Sequence, residues 1–383
     1  MQRQESPLWA AGTADRFTAK LREVCRRSAG KIPARAIDGV HDNKADGRAY
    51  NPDDGLCWWT NGFWAGMLWR AFAKTGEAAF AEAARFTEAQ LDACFTTGFY
   101  GLHHDVGFMW LPSAVADYRL TGDPDARRRG LHAASLLAGR FNPAGFIRAW
   151  NDIPGQDSDT RGWVIIDSLL NIPLLYWAGE ETGDPRYARI ARIHADTVAA
   201  NFVRLDGSVR HIVEFDPDTG AFVREHGGQG YARGSSWTRG QAWGLYGFAL
   251  SARRTGAVRY LAMAEKIAGY FIAHIPQDGQ IPVDFCQPAE PDYKDDIAAA
   301  AAACGLLLLA RLAPAEAERY TAAAETLLRR LADTADWDPD HDGFLRNCSA
   351  DYHGKLHNVN YTYGDAFFYE ALLALAGCGV DLW

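Results

Sequence analysis

Asp167 is the one charged residue in a long apolar run, Gly162-Trp163-Val164-Ile165-Ile166-Asp167-Ser168-Leu169-Leu170-Asn171-Ile172-Pro173-Leu174-Leu175-Tyr176-Trp177-Ala178. An ionised carboxylate is costly to take out of water unless it is paired or takes up a proton. Burial therefore raises its pKa towards the range where it can move protons near neutral pH. The competing reading is an aspartate that caps or hydrogen-bonds within a core.

Asp105 ends the segment His103-His104-Asp105, directly ahead of Val106-Gly107-Phe108 and a second apolar stretch. At a helix N-terminus the dipole favours its charged form; an ordinary N-cap is the alternative. If the two apolar stretches are neighbours, one carboxyl is buried and the other dipole-stabilised. Their pKa values are then driven apart, which divides acid from base. Such a pair beside a sugar ring is the usual equipment of glycosidases.

Further candidates follow. Leu205–His211 reads as a hairpin turn leading into a strand, and His211 alone reads as structural. The glycines around Gln229 (Gly227, Gly228 and Gly230) would let backbone approach a ligand closely. Arg239 precedes a helix and Trp243 lies one turn on, a carboxylate fork beside a stacking plate; the alternative is a cation–π pair holding the loop. Cys57–Trp64, which includes Trp59, adds an aromatic wall. His353 and His357 have i,i+4 spacing, but Gly354 between them and the lack of a third ligand argue against a metal. Neither a phosphate-binding glycine loop nor a Gly-x-Ser-x-Gly elbow is present.

The elements that must position these residues are marked by a recurring turn: Thr75-Gly76, Thr121-Gly122, Thr182-Gly183, Thr255-Gly256, and a related break at Leu312-Ala313-Pro314. Glycine there ends one helix and the next residues start another. Before the breaks lie segments apolar nearly all round: 59–74, 107–120, 163–181, 241–254, 296–311 and finally 363–376. The segments 14–27, 77–94, 124–140, 185–202, 258–274 and 314–332 carry a polar face. Six inner and six outer helices in alternation imply one all-α domain over residues 1–383, a closed (α/α)6 barrel; an open solenoid is the alternative. The long connections 32–57, 144–161, 205–238, 277–294 and 337–362 all enter inner helices, so they gather at one mouth, where the reactive residues are expected.

A net charge of -9 argues against nucleic acid and anionic membranes as partners. The seven cysteines are odd in number and lack CxxC spacing, which fits reduced thiols. With no basic-then-apolar leader, the expected compartment is the cytoplasm. Thirteen Trp, fifteen Tyr and nineteen Phe suit a core, and also a cleft that stacks on sugar faces. Self-association is not readable.

Taken in order, His103–Phe108, Ile165–Ala178, His194–Thr197, Asp206–His211, Phe215–Gly220 and Gln229–Leu250 resemble the unsaturated glucuronyl hydrolases, glycoside hydrolase family 88. The resemblance runs from about Trp58 to about Asp296. It implies the (α/α)6 barrel, no metal or organic cofactor, and unsaturated oligosaccharides from polysaccharide lyases as substrates. It implies hydration of the C4=C5 vinyl ether of a non-reducing-end 4-deoxy-hex-4-enuronic acid, after which the hemiketal opens and the sugar is released. By position, Asp167 matches the general acid/base and Asp105 the second carboxylate. His211, Gln229, Arg239 and Trp243 match contacts to the uronate, and Trp59 and Trp150 match stacking aromatics. Two departures, no Trp in Ile281–Phe285 and Asp295-Asp296-Ile297-Ala298 where Asp-Ser-Ser-Ala is common, bear on the aglycone subsite. The rival readings are an unsaturated rhamnogalacturonyl hydrolase on pectin fragments, an inverting glycosidase on saturated substrates, and a sugar-binding protein without turnover.

Overall fold

Four of the chain reversals are built alike. In each, a glycine (Gly76, Gly122, Gly183, Gly256) ends a helix in the left-handed conformation, with φ of 66–77°. The preceding threonine hydroxyl accepts the N–H two residues on, at 3.2–3.3 Å. The next helix therefore starts at once, antiparallel to the last.

The computed structural model describes residues 7–46, 55–152 and 159–383. The first six residues and parts of the connections 32–57 and 144–161 lie outside these. The helices are α1 (Leu8–Arg27), α2 (Asn61–Thr75), α3 (Ala78–Thr96), α4 (Val106–Trp110), α5 (Ala116–Thr121), α6 (Pro124–Gly139), α7 (Ser168–Asn171), α8 (Pro173–Thr182), α9 (Pro185–Phe202), α10 (Thr238–Thr255), α11 (Val258–Ala273), α12 (Asp296–Leu312), α13 (Ala317–Thr334) and α14 (Thr362–Leu375).

The inner ring runs α2, α4–α5, α7–α8, α10, α12, α14, each packed on the next, and α14 closes back onto α2. The other helices form the outer layer. Burial follows suit: α10 is buried without a break from Thr238 to Ala252, and α12 from Asp296 to Leu309. Outer helices bury one stripe, as α9 does with Ala191, His194, Ala195, Val198 and Phe202. The expected (α/α)6 ring is thus present and closed. Every inner helix points the same way, and all long connections reach it at one end.

Two expectations need correcting. The segment 163–181 is not helical from its start. Strands β1 (Ala36–Ile37) and β2 (Val40–His41), β3 (Phe141–Asn142) and β4 (Phe146–Ile147), and β5 (Trp163–Ile165), β6 (Ile212–Phe215) and β7 (Phe222–His226) form small sheets at the mouth. Val164 and Ile165 pair with Val213 and Ile212. Periodicity alone does not separate a short buried strand from a buried helix. Nor is 107–120 one helix: residues Leu111–Val115, with Pro112, form a π turn between α4 and α5. All seven cysteines are free thiols, as their spacing suggested.

Candidate active site

Asp105 is the residue before α4, and Asp167 the residue before α7, separated from β5 by Ile166. Neither side chain makes a cap hydrogen bond, so the N-cap reading fails for both. Because α4 packs on α7, the two acids meet. Gly107 permits this: a Cβ there would lie 2.4 Å from Asn171 Cα. Asn171 then joins the two segments. Its Oδ1 accepts the Phe108 N–H at 2.8 Å, and its Nδ2 donates to Asp105 Oδ1 at 2.9 Å and to the Asp167 carbonyl at 3.3 Å.

His104 lies against both acids. Its Nε2 is 3.5 Å from Asp105 Oδ1 and 3.8 Å from Asp167 Oδ1, while His103 Nδ1 is 3.4 Å from Asp105 Oδ2. Asp105 is 5% exposed. The Asp167 side chain keeps 18% of its surface although its Oδ1 is enclosed, so the group is open on one side only, where a substrate can reach it.

Burial, the largest influence, raises the Asp105 carboxyl to about 7; the Asn171 hydrogen bond and the Arg140 charge hold it back. Burial first, and the Asp105 charge second, push Asp167 well above the usual carboxylate range. Asp167 therefore keeps its proton after Asp105 has lost its own. The expectation of one buried and one dipole-stabilised carboxyl is overturned: burial raises both, and the short helix α4 does not hold Asp105 in its charged form.

His211 reaches the pair through the sheet, since the Ile166 N–H donates to its carbonyl at 3.1 Å. Its Nδ1 accepts the Gln229 N–H at 3.0 Å, which places the ring proton on Nε2. Burial lowers this imidazole to about 3, so it is neutral. Gly228 makes room for that ring rather than for a ligand: a Cβ there would lie 2.0 Å from His211 Nδ1. The Gln229 side chain donates to the Ala350 carbonyl at 2.7 Å.

Arg239 departs from expectation. It lies in the first turn of α10, is 1% exposed, and its fork is turned inward. It donates to the Tyr363 hydroxyl, to the carbonyls of Ser349 (2.9 Å) and Ala350 (2.7 Å), and pairs with Asp295 at 3.5 Å. Its aromatic partners are Trp237 and Tyr363, not Trp243. Trp243 is also buried, 1% exposed between Phe108 and Phe367, and so is floor rather than stacking plate. Trp59 is half-buried against Phe108 and Tyr363, as an aromatic wall requires. Trp150 is half-buried against Trp163, and Arg140 holds its loop through the carbonyls of Ala149 (2.9 Å) and Trp150 (3.0 Å).

Sequence reasoning missed the roles of His104 and Asn171. The available signal was two polar residues beside the acids in otherwise apolar segments. His353 and His357 bond to the carbonyl of Tyr231 and to Ser349 and Gly354, so that pair forms no ligand set. His103, His104 and Asp105 do bring three donor atoms within 4.8 Å of one another; here the two rings flank the acid pair.

The profile of Glycosyl Hydrolase Family 88 matches residues 24–254. An unsaturated glucuronyl hydrolase of Bacillus sp. (strain GL1) is 42% identical over 334 residues, 85% of this chain and 88% of that protein. Its crystal structure superposes with a TM-score of 0.85 and 37% identity, covering 95% of each chain. An unsaturated chondroitin disaccharide hydrolase of Streptococcus pyogenes serotype M1 is 35% identical over 323 residues, 82% of this chain and 80% of that protein. A mutant unsaturated glucuronyl hydrolase of Streptococcus agalactiae, complexed with dGlcA-GalNAc6S, superposes with a TM-score of 0.81 and 26% identity, covering 100% of this chain and 95% of that one.

Proposed function

The chain belongs to Glycosyl Hydrolase Family 88 and has the activity of an unsaturated glucuronyl hydrolase; we propose that Asp167 and Asp105 carry that reaction as a hydration of the C4=C5 bond. The substrate class is the unsaturated oligosaccharides that polysaccharide lyases release, with a 4-deoxy-hex-4-enuronic acid at the non-reducing end. The S. agalactiae mutant bound to dGlcA-GalNAc6S supports that ligand class.

Asp167, neutral, gives its proton to C4 and leaves positive charge shared between C5 and the ring oxygen. Water adds at C5 and returns a proton to the Asp167 carboxylate, regenerating the acid. The resulting hemiketal opens its ring, and the remaining sugar leaves from C1. Asp105, ionised, keeps the proton on Asp167 until the vinyl ether arrives. His211 presents Nε2–H from the edge of β6, and Trp59 and Trp150 wall the ring. The observation that supports this most strongly is two carboxyls 3.5 and 3.8 Å from one imidazole nitrogen, both raised by burial and the more open of them also by the charge of the other.

The test follows the ultraviolet absorbance of the C=C bond over a panel of unsaturated chondroitin disaccharides, sulfated and unsulfated, an unsaturated rhamnogalacturonan disaccharide, and their saturated counterparts. Loss of absorbance with unsaturated glucuronides, and inertness of the saturated sugars, is expected. Consumption of the pectin fragment alone, or release of sugar with absorbance unchanged, overturns the reading.

The pH profile is a second expectation. The Asp105 carboxyl, raised to about 7, must be ionised while Asp167 is protonated. kcat/KM is therefore bell-shaped. It falls below about pH 7 as Asp105 takes up a proton, and falls again well above the usual carboxylate range as Asp167 loses its own; both limbs belong to the coupled pair. A profile flat down to pH values typical of free carboxylates would contradict it.

A further inference from the structure

We propose that His104 is the positioning residue of the acid pair: its neutral ring, protonated on Nε2, stands between Asp105 Oδ1 and Asp167 Oδ1 and donates to whichever carboxyl is ionised. The inference rests on the hydration reading above and names what decides which acid gives up its proton.

The imidazole is fully buried, and neither nitrogen has a hydrogen-bond partner among the described residues. Buried polar atoms are rarely left so. Nε2 stands 3.5 and 3.8 Å from the two oxygens, just beyond good hydrogen-bond length, and Asp167 Oδ1 is itself without a partner. Catalytic hydrogen bonds are often long in the free enzyme and tighten when substrate is seated.

The other groups facing this ring are already engaged. Arg140 donates to the carbonyls of Arg148, Ala149 and Trp150 and to Asn151. His194 accepts the Ile147 N–H on Nδ1, so its Nε2–H goes to Ser168 Oγ. His103 Nδ1 accepts the Asp105 N–H at 3.4 Å, so it brings no proton to the carboxylate, and Asn171 serves Asp105 alone among the two side chains. Arg239, which acts on Asp167 only through its charge, is turned inward. His104 Nε2–H is the donor left for both Oδ1 atoms. Burial first, and then the Arg140 charge, keep the ring neutral, so it donates one proton without becoming an acid itself.

Two substitutions separate this role from simple packing. In His104→Gln the amide nitrogen reaches the ε position; in His104→Asn it stops at the δ position. On the unsaturated chondroitin disaccharide, Gln should keep kcat within about tenfold of wild type and leave the acidic limb in place. Asn should lose roughly 10²–10³-fold in kcat with little change in KM. Its acidic limb should move up by about one pH unit, because ionised Asp105 has lost a donor and takes up its proton more readily. Equal profiles for the two variants, or rescue by Asn rather than Gln, overturn the proposal. Nitrogen-15 spectra of the histidine-labelled wild type give a second reading that needs no variant: Nε2–H neutral imidazole is expected at His104, and Nδ1–H overturns it. Wild-type turnover keeps the two readings apart. If the wild type leaves the absorbance unchanged, the function fails; if it consumes the disaccharide and the variants behave alike, only the role of His104 fails.

Discussion

Asp167→Asn should lower kcat roughly 10³–10⁴-fold on an unsaturated glucuronide while KM stays within about threefold, since the amide keeps the shape and loses the transferable proton. The same change should raise the melting temperature. The folded protein holds the Asp167 proton above the pH at which an unfolded chain releases it. The folded state then binds more protons, so wild-type stability declines as pH rises from the ordinary carboxylate range. Asparagine does not titrate, and its advantage should widen from about pH 5 to about pH 8. Steady-state kinetics and thermal melts at both pH values check the two halves. Activity within tenfold of wild type would remove Asp167 from the chemistry.

Gly107→Ala should separate the two acids. The added Cβ would sit 2.4 Å from Asn171 Cα, 2.5 Å from its carbonyl oxygen and 2.6 Å from Oδ1. Backbone lies on that side, so α4 and α7 must part. The Phe108–Asn171 and Asn171–Asp105 hydrogen bonds stretch with them. A loss of at least roughly 10²-fold in kcat is expected, because small displacements of positioned groups cost that much. Overpacking of this kind costs about 1–3 kcal/mol of stability, measurable by urea unfolding. Gly269→Ala on α11 is the control: nothing lies within 4 Å of its Cβ, and helix propensity should make that variant slightly more stable. A Gly107→Ala enzyme with wild-type kinetics would show that the spacing of the acids does not matter.

The ring itself was legible because each Thr-Gly reversal is local, and because inner and outer helices differ in how far round they are apolar. Asp167 was legible as a charge with no neighbour of its kind. The start of β5 was not, because Val164 and Ile165 suit a buried strand as well as a buried helix, and only pairing with residues 212 and 213 decides it. The direction of Arg239 depends on carbonyls 110 and 111 residues away, which no local pattern reports. Trp243 looked like a plate because its i+4 spacing from Arg239 is real; its ring nevertheless points into the core. His104 and Asn171 were overlooked for the opposite reason. Each is unremarkable alone and gains meaning only when α4 and α7 touch.

The far face of the ring is made of reversals only a few residues long, whereas the opposite face is made of everything the chain has to spare. Those segments can lengthen, shorten or exchange side chains without disturbing the helices beneath them. The acids stand at the roots of these segments, anchored to the ring. Sugar preference can therefore drift by insertion and deletion at one surface while proton delivery to the alkene is inherited intact.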